Sequence, residues 1–164
     1  MKSPQISQMD TDFLLVISLW QPWATWVMWG WKPIETRTHA RFASLMSKRT
    51  GIHAAKRWDD RAMVVSAGYL SHRQRVATLN ADHARGALIC TGFVSQYSSR
   101  LTSADEKGAL IECRTPRTGI WIQDIETFSP SIPMIGRQGV WKVPFPLTST
   151  SNLRESAKSA DNLK

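Results

Sequence analysis

Cysteine is scarce in this chain of 164 residues: Cys90 and Cys113 stand alone, with neither CxxC spacing nor a histidine cluster that would complete a zinc site. A disulfide scaffold and a zinc fold are therefore excluded. Free thiols in a reducing, cytoplasmic setting are the expectation, with no metal and no cofactor. Long apolar runs are missing too. The longest, Trp20 to Trp31, is broken by Gln21, Pro22, Thr25 and Gly30, and Met1 to Asp12 is polar rather than a basic-then-apolar leader. Neither a membrane span nor a secretory signal is read from such a pattern. A Walker loop, a dinucleotide fingerprint, a Ser-His-Asp order and a repeat of fixed period are also lacking.

Acidic residues are the other shortage, 13 Asp and Glu against 21 Lys and Arg, for a formal net charge of +8. The imbalance is local. Between Lys32 and Arg85 stand eleven bases against Glu35, Asp59, Asp60 and Asp82, which accounts for seven of those eight charges. A concentrated basic face suits an acidic polymer, most simply nucleic acid. Hydrophobic residues at 42% and charged residues at 21% match a soluble globular chain, so one compact domain with tails is expected. The boundaries read as a flexible N-terminal segment over 1–13, a domain over 14–147 and a mobile polar tail over 148–164.

Leu14 to Leu19 is an apolar, β-branched run suited to a buried strand. Pro22 can open a short helix that Gly30 ends, and Pro33 to Arg37 alternates as a half-buried strand. Gly51 to Ala55 is a third strand. From Trp58 the positions Ala62, Val65, Tyr69, His72, Val76 and Leu79 follow steps of four and three, which predicts one helical stripe with a break at Gly68 and a packed His72. Gly86 to Val94, with a bulge at Gly92, Gly119 to Ile125 and Gly139 to Val143 complete the strands. Pro116, Pro130 and Pro133 read as turn punctuation. Five or six strands and two helices result.

Four of the eight tryptophans, Trp20, Trp23, Trp26 and Trp29, recur every three residues. On a helix they rotate by roughly 60° per step, so they cannot all face one core, and an exposed indole beside bases is a stacking platform for a nucleobase. The surrounding text, Ser18-Leu19-Trp20-Gln21-Pro22-Trp23-Ala24-Thr25 and then Gly30-Trp31-Lys32-Pro33-Ile34-Glu35-Thr36-Arg37, resembles the ASCH family, whose signature is a QPWA-like helix start followed by GxKxxExR. The resemblance extends to Gly51 to Lys56, Gly86 to Ile89 and Gly136 to Val143.

That resemblance implies an α+β, mainly β, PUA-like fold: a small, mostly antiparallel β-barrel with helices at its rim and a cleft facing nucleic acid. It also implies that Lys32, Glu35 and Arg37 line the mouth, with Ser18, Trp20, Gln21 and Trp23 nearby. His53, Lys56 and Arg57 at the end of the third strand are expected to reach the same place. Lys48, Arg49 and Arg61 are expected to contact phosphates. The first functional reading is a monomeric module that binds RNA or single-stranded nucleic acid and accommodates a base or modified nucleoside, without membrane partners. A second follows from family members that resemble amidohydrolases of acylated cytidine or nucleases. There the motif lysine works with a threonine where this chain has Glu35, so a hydrolase here would use Glu35 as general base and Lys32 to polarise the carbonyl. A third reading, a protein-interaction adaptor, uses the same basic face and indoles.

Overall fold

The computed structural model describes residues 12–145. The tail over 148–164 and most of the N-terminal segment over 1–13 lie outside the described residues. Six strands form one mixed sheet: β1 (Phe13–Gln21), β2 (Ile34–Arg37), β3 (Arg49–Trp58), β4 (Ala87–Ser98), β5 (Thr118–Pro133) and β6 (Val140–Pro144). Their order is β2-β5-β4-β3-β1-β6. Only β1 and β3 run parallel; every other pair is antiparallel. Four short helices join them: α1 (Trp23–Met28), α2 (Ala62–Val65), α3 (His72–Asn80) and α4 (Glu106–Ala109). No helix among the described residues is long and apolar enough to cross a membrane.

The α+β, mainly β expectation holds, but the expected barrel does not close. The end strands β2 and β6 are not paired with each other, so the sheet is open. Between β2 and β1 a side chain crosses instead of a ladder: Arg37 Nη2 donates to the Ser18 carbonyl at 3.2 Å. The motif that resembles GxKxxExR thus lies on an edge strand, beside the gap where closure would have occurred.

Two other expectations need correction. Pro130 and Pro133 belong to β5 rather than to turns. β2 covers the outer side of β5 only as far as Trp121, so beyond that point β5 is an edge, where a missing N–H breaks no ladder. The stripe after Trp58 breaks around Gly68, as that glycine allowed, into α2 and α3, and the Ser71 side chain and Gln74 form a reciprocal capping box that starts the second helix, but the common apolar face is not kept. The periodicity does not carry across, and Val65, Val76, Leu79 and His72 are exposed. The bulge at Gly92 is present as a register shift between Thr91 and Phe93.

Ile17, Leu19, Ile52, Ile89, Val94, Ile120 and Ile122 form the main core with Ala24 and Val27 of α1. Cys90 sits inside it, and burial pushes its thiol up to about 12, an inert packing group.

Candidate functional site: a two-armed cleft at the β1–β2 gap

β1 and α1 are joined by a fixed corner. The Gln21 side chain accepts from Thr25 N at 3.1 Å and from Thr25 Oγ1 at 2.9 Å, and donates to the Ala84 carbonyl at 2.7 Å. Gln21 is fully buried and its amide is spent on that corner, so it holds the site rather than lining it. Trp26 goes into a satellite core, with its indole N–H on Thr78 Oγ1 at 2.8 Å. Trp23, half-buried, turns outward and donates to Asp59 Oδ2 at 2.8 Å. The three-residue spacing therefore sends successive indoles to different surroundings, as rotation about a helix requires.

Trp20 is the exposed member, 43% accessible. The cause is a register shift: Leu19 pairs with Ala54, yet Gln21 pairs with Trp58, so Trp20 opposes Ala55, Lys56 and Arg57 together. Such bulges re-aim side chains beside functional sites. Arg57 lies over the Trp20 ring at 3.9 Å, a stacked guanidinium.

A charge cluster with two buried members borders the same cleft. Lys32 and Glu35 are 2% and 3% accessible. Lys32 Nζ donates to Glu35 Oε2 at 2.9 Å and to the Ile34 carbonyl at 2.5 Å, and Arg37 Nη1 donates to Glu35 Oε1 at 2.5 Å. Burial disfavours the Glu35 carboxylate, but the charges of Lys32 and Arg37 outweigh it and hold Glu35 below its ordinary range. For Lys32 burial prevails over the attraction of Glu35 and lowers its pKa. One carboxylate thus compensates two cations. Ion pairs on a solvated strand face do not describe this arrangement.

Ser18 and His53 are register partners on the parallel pair. His53 Nδ1 lies 3.1 Å from Ser18 Oγ, and Nε2 lies 3.1 Å from the Met134 carbonyl. A carbonyl only accepts, so Nε2 carries the proton and Nδ1 accepts from the serine. Burial lowers the His53 pKa and favours this neutral form. Gly136 lies against the pair: a Cβ there would come within 2.3 Å of His53 Cε1.

These residues surround an open cleft with two arms. The larger, about 1750 Å³, is lined by Ser18, Glu35, Arg37, His53, Lys56 and the 130–144 segment. The smaller, about 1100 Å³, is lined by Lys32, Arg57, Arg61, Val64, Tyr69 and Arg117 among others. Trp20, Trp23, Glu35, Arg37 and Asp59 border both arms. Even one arm is at or above the size range of a small-molecule pocket, and the combined groove suits a longer ligand.

This architecture has solved counterparts. The chain is similar to the crystal structure of ASCH from Zymomonas mobilis, at a TM-score of 0.51 and 15% identity, with 87% of this chain and 93% of that one covered. The fold is ASCH-like. A serine-to-alanine variant of the same Zymomonas mobilis protein matches at a TM-score of 0.51 and 14% identity, covering 87% of this chain and 94% of that one. No family model matches the sequence, and no curated protein matches it.

Within this ASCH-like frame, Ser18, Trp20, Trp23, Lys32, Glu35, Arg37, His53, Lys56, Arg57 and Arg61 come together on the cleft. Lys48 and Arg49 do not. They sit at the other end of β3, where Lys48 donates to the Ser44 carbonyl and Arg49 pairs with Glu126 at 3.3 Å. Sequence reasoning missed Asp59, Arg117, Trp141 and Lys142. The last two had a signal, since they fall in the closing Gly136 to Val143 stretch, and β6 carries them beside β1. Arg117 had none: it reaches the cleft only because Thr118 is the register partner of Arg37.

Proposed function

We propose that this ASCH-like domain is a binding module for RNA or single-stranded nucleic acid, whose cleft receives a base or modified nucleoside. The observation that carries this reading is the exposed Trp20 indole, stacked with Arg57 and bordering the same cleft as the Lys32–Glu35–Arg37 cluster. An aromatic face tolerates any base, and the mixed polar floor supplies donors from two cations together with the remaining lone pairs of an ionised carboxylate. Neutral His53 and Ser18 add a wall without charge. Unpaired RNA offers a base at an extrusion cost of only a few kcal/mol.

The test is a fluorescence-anisotropy titration of single-stranded RNAs that differ at one central base. Trp20→Ala is expected to cost about 1 to 3 kcal/mol of affinity. Glu35→Gln is expected to flatten the preference among bases. Wild-type affinity that neither substitution changes would refute the module.

The hydrolase reading has one observation in its favour, the buried Lys32 amine with its lowered pKa. Incubation with N4-acylated cytidines, followed by chromatography, decides it. Turnover by wild type that Lys32→Ala abolishes would replace the binding module with an amidohydrolase.

A further inference from the structure

The smaller arm of the cleft has an unspent cation. Arg117 lines it, and Arg117 Nε is buried with no hydrogen-bond partner. No ion pair engages its guanidinium among the described residues. An orphaned donor of this kind costs stability unless something else satisfies it.

Two of the four carboxylates that share this arm, Glu35 and Glu112, are taken by ion pairs. Both oxygens of Glu35 are taken by Lys32 and Arg37. Asp59 accepts from Trp23 Nε1 and from the backbone N–H of Arg61 at 3.1 Å, and Glu112 pairs with Arg114 at 3.1 Å. Asp59, whose two donors are neutral, keeps its charge, and Asp60 lies at the exposed rim. Against these two aspartates stand three arginines, Arg117 and Arg61, with Arg57 lying over Trp20. Arg117 is also near enough to Lys32 for its charge to add to the burial that lowers the lysine's pKa. The arm therefore holds more positive charge than its own acids compensate.

We propose that the smaller arm is an anion subsite, in which the Arg117 guanidinium, flanked by Arg61 and Arg57, receives the phosphate attached to the nucleoside seated beside Trp20. The inference rests on the base-binding reading above and deepens it: the recognised unit is a nucleotide, not a free nucleoside. Arginine suits the task because its planar guanidinium meets two phosphate oxygens at once.

Calorimetric titrations with the four ribonucleosides, their 5′- and 3′-monophosphates, a dinucleotide carrying an internal diester, and inorganic pyrophosphate test the proposal. The expected result is that at least one phosphorylated form binds about tenfold more tightly than its nucleoside, equivalent to about 1.4 kcal/mol. Which form gains most distinguishes a terminal phosphate from the chain's own diester. Arg117→Ala should shrink the advantage to within about twofold. Arg117→Lys, which keeps the charge and loses the fork, should restore less than half of it. Lys48→Ala, outside the cleft, should keep it whole.

Equal wild-type affinity for nucleoside and nucleotide, or an advantage that survives Arg117→Ala, would overturn the subsite. If no nucleoside binds while pyrophosphate does, in an Arg117-dependent manner, the anion subsite stands and the base-binding reading fails. If neither pyrophosphate nor any phosphorylated form binds, the subsite is wrong.

Discussion

Glu35 has two oxygens and two cations to hold, so its removal is felt twice. Glu35→Gln leaves Lys32 2% accessible and without its counter-ion, with the Ile34 carbonyl and a neutral amide as its acceptors. A buried charge stripped of its counter-ion typically costs about 3 to 5 kcal/mol, and chemical denaturation should show a loss near the lower end because the amide still accepts a hydrogen bond. Adding Lys32→Met should recover more than half of it. Full additivity of the two substitutions would mean that the pair is not coupled. Acid acts on the same residue: stability from Glu35 is present above its ordinary pKa of 4.5 and is lost as the pH falls through its lower folded value. His53 shows its effect at higher pH. Its folded pKa lies below the ordinary 6.5, so the unfolded chain takes up the proton first. Stability is full above about 6.5 and declines from there toward the folded value. Melting curves between pH 5 and 7.5 should show that decline in wild type and a flatter profile in His53→Gln. Lys32, Glu35 and Arg37 were legible because their spacing matched a known signature. Their burial was not, because it depends on what β1 and β5 bring alongside.

The strand elements were legible from apolar runs, and their lengths were not. β5 is 16 residues long although Pro130 and Pro133 suggested turns, since an edge strand tolerates residues that an interior strand rejects. Helical periodicity misled in the opposite way, because phase is meaningful only while one helix continues, and Ser71 restarts it. The bulge at Gly92 was readable from a lone glycine inside a strand pattern, and the structure gives it a steric reason. A Cβ at Gly92 would lie 2.3 Å from Ile122 Cγ2 and 2.9 Å from Ile125 Cδ1. Gly92→Ala should therefore overpack the β4–β5 contact and cost about 1 to 3 kcal/mol by urea denaturation. A neutral result would show that Ile122 has room to move.

At the scale of the whole molecule, the charge excess read from the sequence divides by location. Lys56, Arg57 and Arg61 face the cleft, whereas Lys48 and Arg49 are turned to another end of the sheet. Affinity for single-stranded RNA should fall with salt, and each phosphate contact removed should reduce the log–log slope by about 0.7. Lys56→Ala and Arg61→Ala are expected to do so, and Lys48→Ala is not. Equal slopes for all three would disperse the interface over the whole surface. The pairing of β1 with β6 has a consequence for how the protein is made. Phe13 pairs with Pro144, so the first strand to leave the ribosome waits for the last. At translation rates of roughly 5 to 20 residues per second, that wait is on the order of ten seconds. Until it ends, β1 has one bare edge, and the wall of the cleft formed by Trp141 and Lys142 does not exist. A chain stopped after Gln138 should scatter light on standing and lose RNA binding, even though it retains every residue of the motif from Ser18 to Arg37.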